Sequence, residues 1–334
     1  MKYLLIFLAI LILNTPNARC QKTPVKINGY AQGTTYSITY FDKKTRNFQP
    51  EIEKILQDFN KSVSLWDSGS IISKINANRQ NVLVDKYFSV CFEKATEVSV
   101  STGGIFDATV GPLVNYWGFG LKNRSNTDSS GVDSILKFVG YQLIELQNSK
   151  IIKKDDRVKI DFNGLAQGYS TDLISEFLES KGISSYIVEI GGEVYANNKK
   201  PNGDFWNVGI ETPNDHAGSD NPLYAVAKLK NMALSTSGSY RKYYVVDGRK
   251  YSHAINPYTG FPAMNNLLSV SVFAPDCITA DAYATAFMVM GVEETKIFLT
   301  KHPELMVYMI SSGASGQFEI YESPGLKEII NRVE

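Results

Sequence analysis

Apolar and polar side chains alternate near the start of the chain, over residues 25–31 and again over residues 35–41. The turn-forming pair Gln32 and Gly33 lies between these segments, so the pattern predicts an antiparallel hairpin. Other short apolar or alternating segments predict further strands. These strands span residues 158–162, 185–190, 206–211, 224–229, 241–246, 268–273, 306–310 and 317–321.

A helical spacing of apolar residues follows Pro50, with Ile52, Leu56 and Phe59 on one face. The spacing predicts a helix over residues 50–62, since proline is favoured in a first turn. Strands and helices are interspersed without strict alternation, and no repeat or linker divides the sequence. We therefore predict one α+β unit, with mixed sheet and helices forming two lobes around a central cleft. The other predicted helices span residues 86–101, 165–181, 277–290 and 293–301.

The N-terminal residues have the pattern of an export signal. Lys2 precedes an unbroken apolar run over residues 4–13, and polar residues and a proline follow it. Ten apolar residues are too few to span a bilayer but suit the core of a signal peptide. We therefore expect residues 1–19 to be a signal peptide that directs export.

Cys20 lies where a lipoprotein signal is cleaved and its cysteine is acylated. Arg19 departs from this pattern, because a small residue is usual before the cysteine. We expect Cys20 to carry a lipid anchor and residues 20–334 to form the catalytic domain. The expected location is the bacterial periplasm, with the protein attached to a membrane.

Composition and charge argue against a nucleic-acid-binding protein and against a disulfide-rich protein. Of the 334 residues, 34 are Lys or Arg and 34 are Asp or Glu, so the formal net charge is zero. We expect no nucleic-acid partner, since the sequence has no excess of positive charge. Three cysteines cannot form a disulfide framework, and Cys91 and Cys277 are predicted to be free buried thiols. The three histidines lie far apart, so no site built from Cys and His is predicted.

Four segments carry more glycine and polar residues than packing requires. A glycine corner that opens a helix can direct backbone N–H groups at a phosphate. Each segment taken alone is equally compatible with a tight turn. The four segments are residues 33–36, 103–107, 161–169 and 189–193.

Two further segments carry polar side chains with a more specific spacing. Asp281 and Thr285 are four residues apart on a predicted helix, so their oxygens share a face and can meet one cation. Alternatively, Asp281 is an acid near a helix N-terminus and Thr285 bonds back to a carbonyl. His253 comes directly before a Pro-Gly turn.

Eight motifs, in order along the chain, together resemble one enzyme family. They extend from Gly29 to Gly291, over nearly all of the predicted mature chain. The sequence is similar to the FAD:protein FMN transferase family, also called the ApbE family and formerly described as thiamine-biosynthesis lipoproteins. The motifs read GTTY, STGGIFDATVGPLVNYWGFG, DFNGLAQGYSTD, VEIGGEVYA, WNVGIETP, LSTSGSYRKYY, SHAINPYTG and TADAYATAFMVMG.

The resemblance implies a transferase that moves FMN from FAD onto a threonine hydroxyl of a target flavoprotein and releases AMP. It implies Mg²⁺ as cofactor, with Asp281, Thr285 and the Ala166 backbone carbonyl as ligands. Carboxylate, hydroxyl and carbonyl oxygens suit this hard cation. Asp281 brings the full negative charge among them, so we expect it to be essential for catalysis.

The resemblance also implies the residues that contact FAD. His253 matches the family's histidine, and we expect it to act as a base toward the acceptor hydroxyl or as a donor to a phosphate. Trp66 stands where an aromatic ring lies against the flavin, although packing on a neighbouring helix is the alternative. The other expected FAD contacts are Gly33, Thr34, Ile105, Phe106, Asp107, Gly164 and Gln167.

Some positions depart from the family pattern. Gln167 stands where lysine is usual, Gln32 where methionine is common, and Asn256 and Ser239 where aspartate is usual. None of these changes removes a proposed metal ligand, so we expect activity to survive. Two alternatives remain open: an FAD pyrophosphatase that uses water as acceptor, and a non-catalytic lipoprotein that binds flavin.

Overall fold

The computed structural model describes residues 23–120, 130–213, 222–240, 243–246 and 249–333. The predicted signal peptide and Cys20 lie outside these ranges. Across them, no helix combines the length and the apolar character that crossing a membrane would require. The helices are α1 (Gln49–Val63), α2 (Ile71–Asn76), α3 (Lys86–Ser101), α4 (Gly111–Tyr116), α5 (Val132–Leu136), α6 (Ala166–Ser180) and α7 (Cys277–Leu299).

Fifteen strands lie in the described part of the chain. In chain order they are β1 (Val25–Ala31), β2 (Thr34–Tyr40), β3 (Ile144–Gln147), β4 (Lys150–Lys153), β5 (Tyr186–Ile190), β6 (Glu193–Asn197), β7 (Trp206–Glu211), β8 (Leu223–Leu229), β9 (Met232–Gly238), β10 (Tyr243–Val246), β11 (Arg249–Ser252), β12 (Leu267–Ala274), β13 (Met306–Ser312), β14 (Phe318–Glu322) and β15 (Ile330–Arg332).

Eight of these strands form one antiparallel sheet in the order β1-β2-β5-β6-β9-β12-β13-β14. The predicted opening hairpin is present as β1 and β2, with Ala31 opposite Thr34. A smaller sheet has the order β15-β8-β7, and β3–β4 and β10–β11 are separate hairpins. Helices and antiparallel sheets together give the α+β architecture that the sequence predicts.

The large sheet is buried on both faces. On β13, Val307 and Met309 belong to the core cluster that contains the helix α7, whereas Tyr308 and Ile310 pack with the three-stranded sheet. Successive strand residues point to opposite faces, so one strand serves two cores. The molecule therefore has three layers here: helices, the large sheet, and the small sheet.

A separate core cluster lies at the β1 end of the large sheet. Ile38 on β2 and Val188 on β5 pack against Ile52 of α1 and Ile174 of α6, and all four side chains are fully buried. This contact fixes α6 on the sheet. The N-terminus of α6 is thereby held beside the start of α7.

The helices α6 and α7 approach each other very closely at Gly168. A Cβ atom built on Gly168 would lie 2.3 Å from the Cys277 carbonyl oxygen and 2.8 Å from the Asp281 Cβ. Both contacts are with atoms that cannot swing away, so a side chain at this position would push the helices apart. Glycine is therefore required by packing at this crossing.

The helix α7 is interrupted at Gly291, whose φ is 77°. The Asn265 side-chain amide donates to the carbonyls of Met288 and Val289, which lie in the turn before the break. This interruption agrees with the prediction of separate helices over residues 277–290 and 293–301. A glycine is suited to the left-handed conformation at the break.

The predicted strand over residues 158–162 is wrong. Instead, the backbone of Ile160 exchanges two hydrogen bonds with the Asn76 side chain, at 2.7 and 2.8 Å. The Asp161 N–H donates to the Ala108 carbonyl at 2.7 Å. A side chain thus replaces a neighbouring strand, which the apolar spacing of the segment could not reveal.

Several strands are absent from the sequence prediction. The central strands β6 and β9 are buried on both faces, so their residues do not alternate between apolar and polar. The hairpin β3–β4 turns through Asn148 and Ser149, both with positive φ. This turn uses no glycine, and the sequence signal for it was correspondingly weak.

Candidate active site

A cavity of about 670 Å³ contains most of the predicted site residues. Its walls come from α1, the loop after α3, the corner before α6, the turn after β11, and α7. Among the predicted residues, Thr34 and Asp281 lie outside the lining. The predicted residues that line it are Gly33, Trp66, Ile105, Phe106, Asp107, Gly164, Ala166, Gln167, His253 and Thr285.

The corner that leads into α6, residues 162–167, forms one end of the cavity. Phe162 and Leu165 are buried and anchor this segment in the core, while Gly164 stays near the surface of the cavity. The Thr285 hydroxyl donates to the Gly164 carbonyl at 3.4 Å. A Cβ on Gly164 would lie only 3.1 Å from the Phe106 ring and from Thr285 Oγ1. The glycine therefore allows α7 to approach the backbone of the corner.

Asp281 lies behind this corner, on the same helix as Thr285. Its side chain is buried, and its Oδ2 accepts the Gly168 N–H at 3.0 Å. Burial raises the pKa of the Asp281 carboxyl to about 7, although the Gly168 hydrogen bond opposes this change. Asp281 and Thr285 therefore bond to Gly168 and Gly164, on either side of Ala166.

The donors at this corner fit a small hard cation. They comprise one carboxylate, one hydroxyl and the backbone carbonyls of the corner, and Mg²⁺ is bound by few protein oxygens together with water and substrate phosphates. A buried carboxylate whose charged form is disfavoured gains from a neighbouring cation. Within the described ranges, no group of three His, Cys, Asp or Glu side chains is placed to hold a metal. A donor set with one carboxylate suits a cation that a ligand also binds.

The loop after α3 forms a second wall of the cavity. Gly103 and Gly104 have φ values of 61° and 90°, and they turn the chain so that Phe106 is buried against the corner. Asp107 Oδ1 accepts the Thr109 N–H and hydroxyl at 2.7 and 2.6 Å, and its Oδ2 accepts the Tyr141 N–H at 2.7 Å.

Asp107 Oδ1 therefore holds this loop together, and Oδ2 ties the loop to the segment that begins at Tyr141. Burial raises the pKa of the Asp107 carboxyl, while its hydrogen bonds to Thr109 and Tyr141 oppose that change. The Asp107 carboxylate thus has a structural part that the sequence did not suggest.

His253 lies at the end of β11, half-buried in the cavity wall, with its ring centroid 6.4 Å from that of Phe119. The turn that follows is held by other groups. Asn256 Oδ1 accepts the Tyr258 N–H at 2.9 Å, and Trp117 Nε1 donates to the Gly260 carbonyl at 2.7 Å. These two bonds help to hold the turn, and the imidazole lies in the cavity wall.

The other histidines differ from His253. His302 stacks on Phe298 at 4.1 Å and contacts Glu304 at 2.9 Å, at the end of α7. It is a structural residue, as its position before a proline predicts. His216 lies outside the described residues.

Trp66 is 68% exposed at the mouth of the cavity. A large aromatic ring left open to solvent at a cavity mouth is available to a ligand. Gln167 and Thr34 both lie beside Gly191, where a built Cβ would be 2.7 Å from the Gln167 side-chain nitrogen and 2.9 Å from Thr34 Cγ2. Gly191 therefore gives the two side chains room to pack there.

Sequence reasoning missed several lining residues. Asp161 lies in the cavity wall, and burial raises the pKa of its carboxyl. Its place before the Asn163-Gly164 turn was a usable signal. Phe59, Met288 and Val289 also line the cavity, but their helical spacing marked them only as core residues.

Known proteins share this sequence and this fold. The sequence model of the ApbE family matches residues 32–309. The chain belongs to the ApbE family. A Vibrio cholerae protein named FAD:protein FMN transferase is 32% identical over 99% of this chain and 100% of its own length. An Escherichia coli K12 relative of the same name is 31% identical over 94% of this chain and 91% of its own length.

Solved structures of ApbE proteins have the same fold. The flavin transferase ApbE from Vibrio cholerae matches with a TM-score of 0.80 and 31% identity, over 92% of this chain and 99% of that one. The apo form of the Pseudomonas stutzeri flavinyl transferase ApbE matches with a TM-score of 0.82 and 28% identity, over 92% and 97%. The predicted family, the α+β fold and the assignment as a transferase enzyme are therefore confirmed.

The hydrogen bonds of Asp107 and Asp161 predict that the same substitution lowers the stability of the protein at Asp107 but not at Asp161. In Asp107→Asn, the new amide N–H₂ must face a backbone N–H of Thr109 or Tyr141, so we expect a loss of about 1–3 kcal/mol in unfolding free energy. Asp161 accepts only from the Asn163 N–H of its own turn, among the bonds that the structure describes. Asp161→Asn keeps that acceptor and serves as the matched control.

Urea unfolding of the two variants measures this difference. The unfolding midpoint should fall clearly for Asp107→Asn and stay near the wild-type value for Asp161→Asn. Equal midpoints for Asp107→Asn and wild type would contradict the structural part assigned to Asp107.

Proposed function

We propose that the protein transfers the FMN half of FAD onto a threonine hydroxyl of a target protein, with Mg²⁺ as cofactor and AMP as the second product. One observation carries this proposal: a single cavity joins the oxygen donors of the corner and Thr285 to an apolar wall that includes Ile105 and Phe106. Its volume of about 670 Å³ is typical of small-molecule sites. The activity named for the relatives supports the same reaction.

The corner and α7 would hold the cation in this reaction. Asp281, Thr285 and the Ala166 carbonyl are the proposed ligands, and the Gly168 N–H orients the Asp281 carboxylate from behind. When bound, Mg²⁺ neutralises negative charge on the diphosphate. The protein supplies a single carboxylate here, so the diphosphate oxygens complete the charge balance.

The proposed transfer exchanges one phosphorus–oxygen bond for another. The threonine oxygen attacks the phosphorus of the FMN half, the bond from that phosphorus to the bridging oxygen breaks, and AMP leaves with the bonding electron pair. The hydroxyl proton must go to a base, and His253 is our candidate because it lines the same cavity. Holding the hydroxyl in line with the leaving oxygen is the main task of the protein.

The rate of AMP release from FAD tests the metal ligands. Asp281→Asn keeps the size of the side chain and removes its charge, so we expect at least a ~100-fold loss of Mg²⁺-dependent AMP release. Thr285→Val should lose less, since water can replace a neutral ligand. Thr295→Val is the matched control, because Thr295 lies in the helical segment after the break at Gly291 and its buried hydroxyl has no hydrogen-bond partner among the described residues.

The products of this assay separate the three candidate activities. AMP together with a flavinylated target supports transfer, whereas AMP with free FMN and an unlabelled target indicates a pyrophosphatase. Flavin binding without AMP indicates a binding protein. His253→Ala should slow transfer at least ~10-fold without changing Mg²⁺ affinity. Wild-type activity in Asp281→Asn would disprove the ligand assignment.

Trp66 tests the flavin end of the cavity. We expect its ring to stack on the isoalloxazine, and stacking of a base on an aromatic side chain contributes about 1–3 kcal/mol. Trp66→Ala should therefore raise the FAD dissociation constant at least ~5-fold, measured by quenching of flavin fluorescence. Tyr30→Ala is the control, since Tyr30 is 72% exposed and lies outside the lining. Equal FAD affinity in both variants would remove Trp66 from the site.

We also propose that the protein is exported and held at a membrane on the periplasmic side by a lipid on Cys20. The motivation is the apolar run over residues 4–13 followed by a cysteine at a suitable distance. Cys20→Ser should move the protein from the membrane fraction to the soluble periplasmic fraction of the cell. Retention of this variant in the membrane fraction would show that the anchor lies elsewhere.

A further inference from the structure

A partly buried aspartate on α6 holds the beginning of α7. Asp172 Oδ1 accepts the Cys277 N–H at 2.8 Å, and Asp172 Oδ2 accepts the Ile278 N–H at 2.8 Å. These two residues are the first of α7, whose N–H groups have no carbonyl partner within their own helix. One carboxylate thus ties two helices that are about a hundred residues apart in sequence.

The opposite contact joins the same two helices. Asp281 on α7 accepts the N–H of Gly168, which lies in the first turn of α6. Each helix therefore gives a carboxylate to the N-terminal amides of the other. The absence of a side chain at Gly168 lets the helices approach closely enough for both contacts.

Asp172 is additional to the ordinary cap of α7. Asp276 is the N-cap residue, and its Oδ1 accepts the Thr279 N–H at 2.9 Å. The hydrogen bond of Asp276 is local to α7, whereas Asp172 reaches from the other helix. Asp276 therefore caps the N-terminus of α7 from the same helix, and Asp172 binds that end from α6.

We propose that Asp172 is a positioning residue that sets the place of Asp281 against the N-terminus of α6. The helix α7 carries Asp281 one turn after the clamped amides of Cys277 and Ile278. Fixing these amides to α6 fixes the distance from Asp281 to the corner that contains Ala166. The expected effect on metal binding rests on the proposed function. The placement of Asp281 rests on geometry alone.

Hydrogen exchange of the metal-free protein tests the placement directly. The Gly168 amide lies in the first turn of α6 and donates to Asp281, so its protection from exchange reports on that contact. In Asp172→Asn we expect this protection to fall at least ~10-fold. The Tyr169 amide, which bonds to the Leu165 carbonyl next to it, should keep its protection.

Asp276→Ala is the matched control, because it removes the local cap of α7 and leaves the link to α6. Both variants should lower the melting temperature, but Gly168 protection should fall in Asp172→Asn alone. Unchanged Gly168 protection in Asp172→Asn, or an equal fall in both variants, would show that Asp172 is merely a cap and would overturn the proposal.

Cys277→Pro provides a second route if Asp172→Asn does not fold. It deletes one donor to Asp172 at the first helical position, where proline is favoured. The preceding Asp276 already has the extended backbone that a following proline requires, with φ −138° and ψ 158°. We expect the same selective loss of Gly168 protection, and retained protection would again contradict the positioning part.

Calorimetric titration with Mg²⁺ and FAD measures the consequence for the metal. Loss of a residue that orients a ligand typically costs 10–100-fold in metal affinity, so we expect the Mg²⁺ dissociation constant to rise by that factor in Asp172→Asn and to stay within about twofold in Asp276→Ala. If wild type binds no Mg²⁺ while Gly168 protection responds as expected, the proposed cofactor is wrong and the positioning of Asp281 stands.

Discussion

The close approach of α6 and α7 is the constraint on which the site depends. At Gly168 the two helices leave no room for a methyl group, and the nearest atom is a backbone carbonyl that cannot move aside. This contact brings the N-terminus of one helix to the polar face of the other. A buried carboxylate, Asp281, can then accept a backbone N–H and remain beside the corner that precedes α6. A wider crossing would separate Asp281 and Thr285 from that corner.

The rest of the cavity is built around this crossing by segments that are distant in sequence. In the loop after α3, Asp107 accepts two hydrogen bonds from Thr109 within the loop and a third from the Tyr141 N–H outside it. The corner before α6 is held by the Asn76 side chain in place of a strand. Hydrogen bonds from polar side chains thus replace those of a sheet where the backbone lies near the cavity. This explains why these loops can be irregular and still present fixed surfaces.

Much of the fold follows from the sequence pattern, and the failures have physical causes. The helix over residues 86–101 and the strand over residues 206–211 have the predicted bounds. The strand expected over residues 158–162 is absent, since apolar spacing cannot show that Asn76 would take its hydrogen bonds. Most of the residues that the motifs predicted for the site line one cavity. The roles of Asp172 and Asp107 could not be predicted from the sequence, because their hydrogen-bond partners are fixed only by the tertiary structure.

The proposed metal site has a single buried carboxylate, and this affects how strongly binding of the cation depends on binding of the substrate. Burial raises the pKa of the Asp281 carboxyl, so the charged form of this proposed ligand is disfavoured unless a cation lies beside it. One carboxylate and neutral oxygens bind Mg²⁺ weakly, because this ion needs several anionic or water oxygens around it. A diphosphate supplies those charges from the ligand side. Binding linkage is reciprocal, so any factor by which FAD strengthens Mg²⁺ binding is the factor by which Mg²⁺ strengthens FAD binding. The weakness of the protein's own ligand set is thus what couples the proposed cation to the proposed substrate.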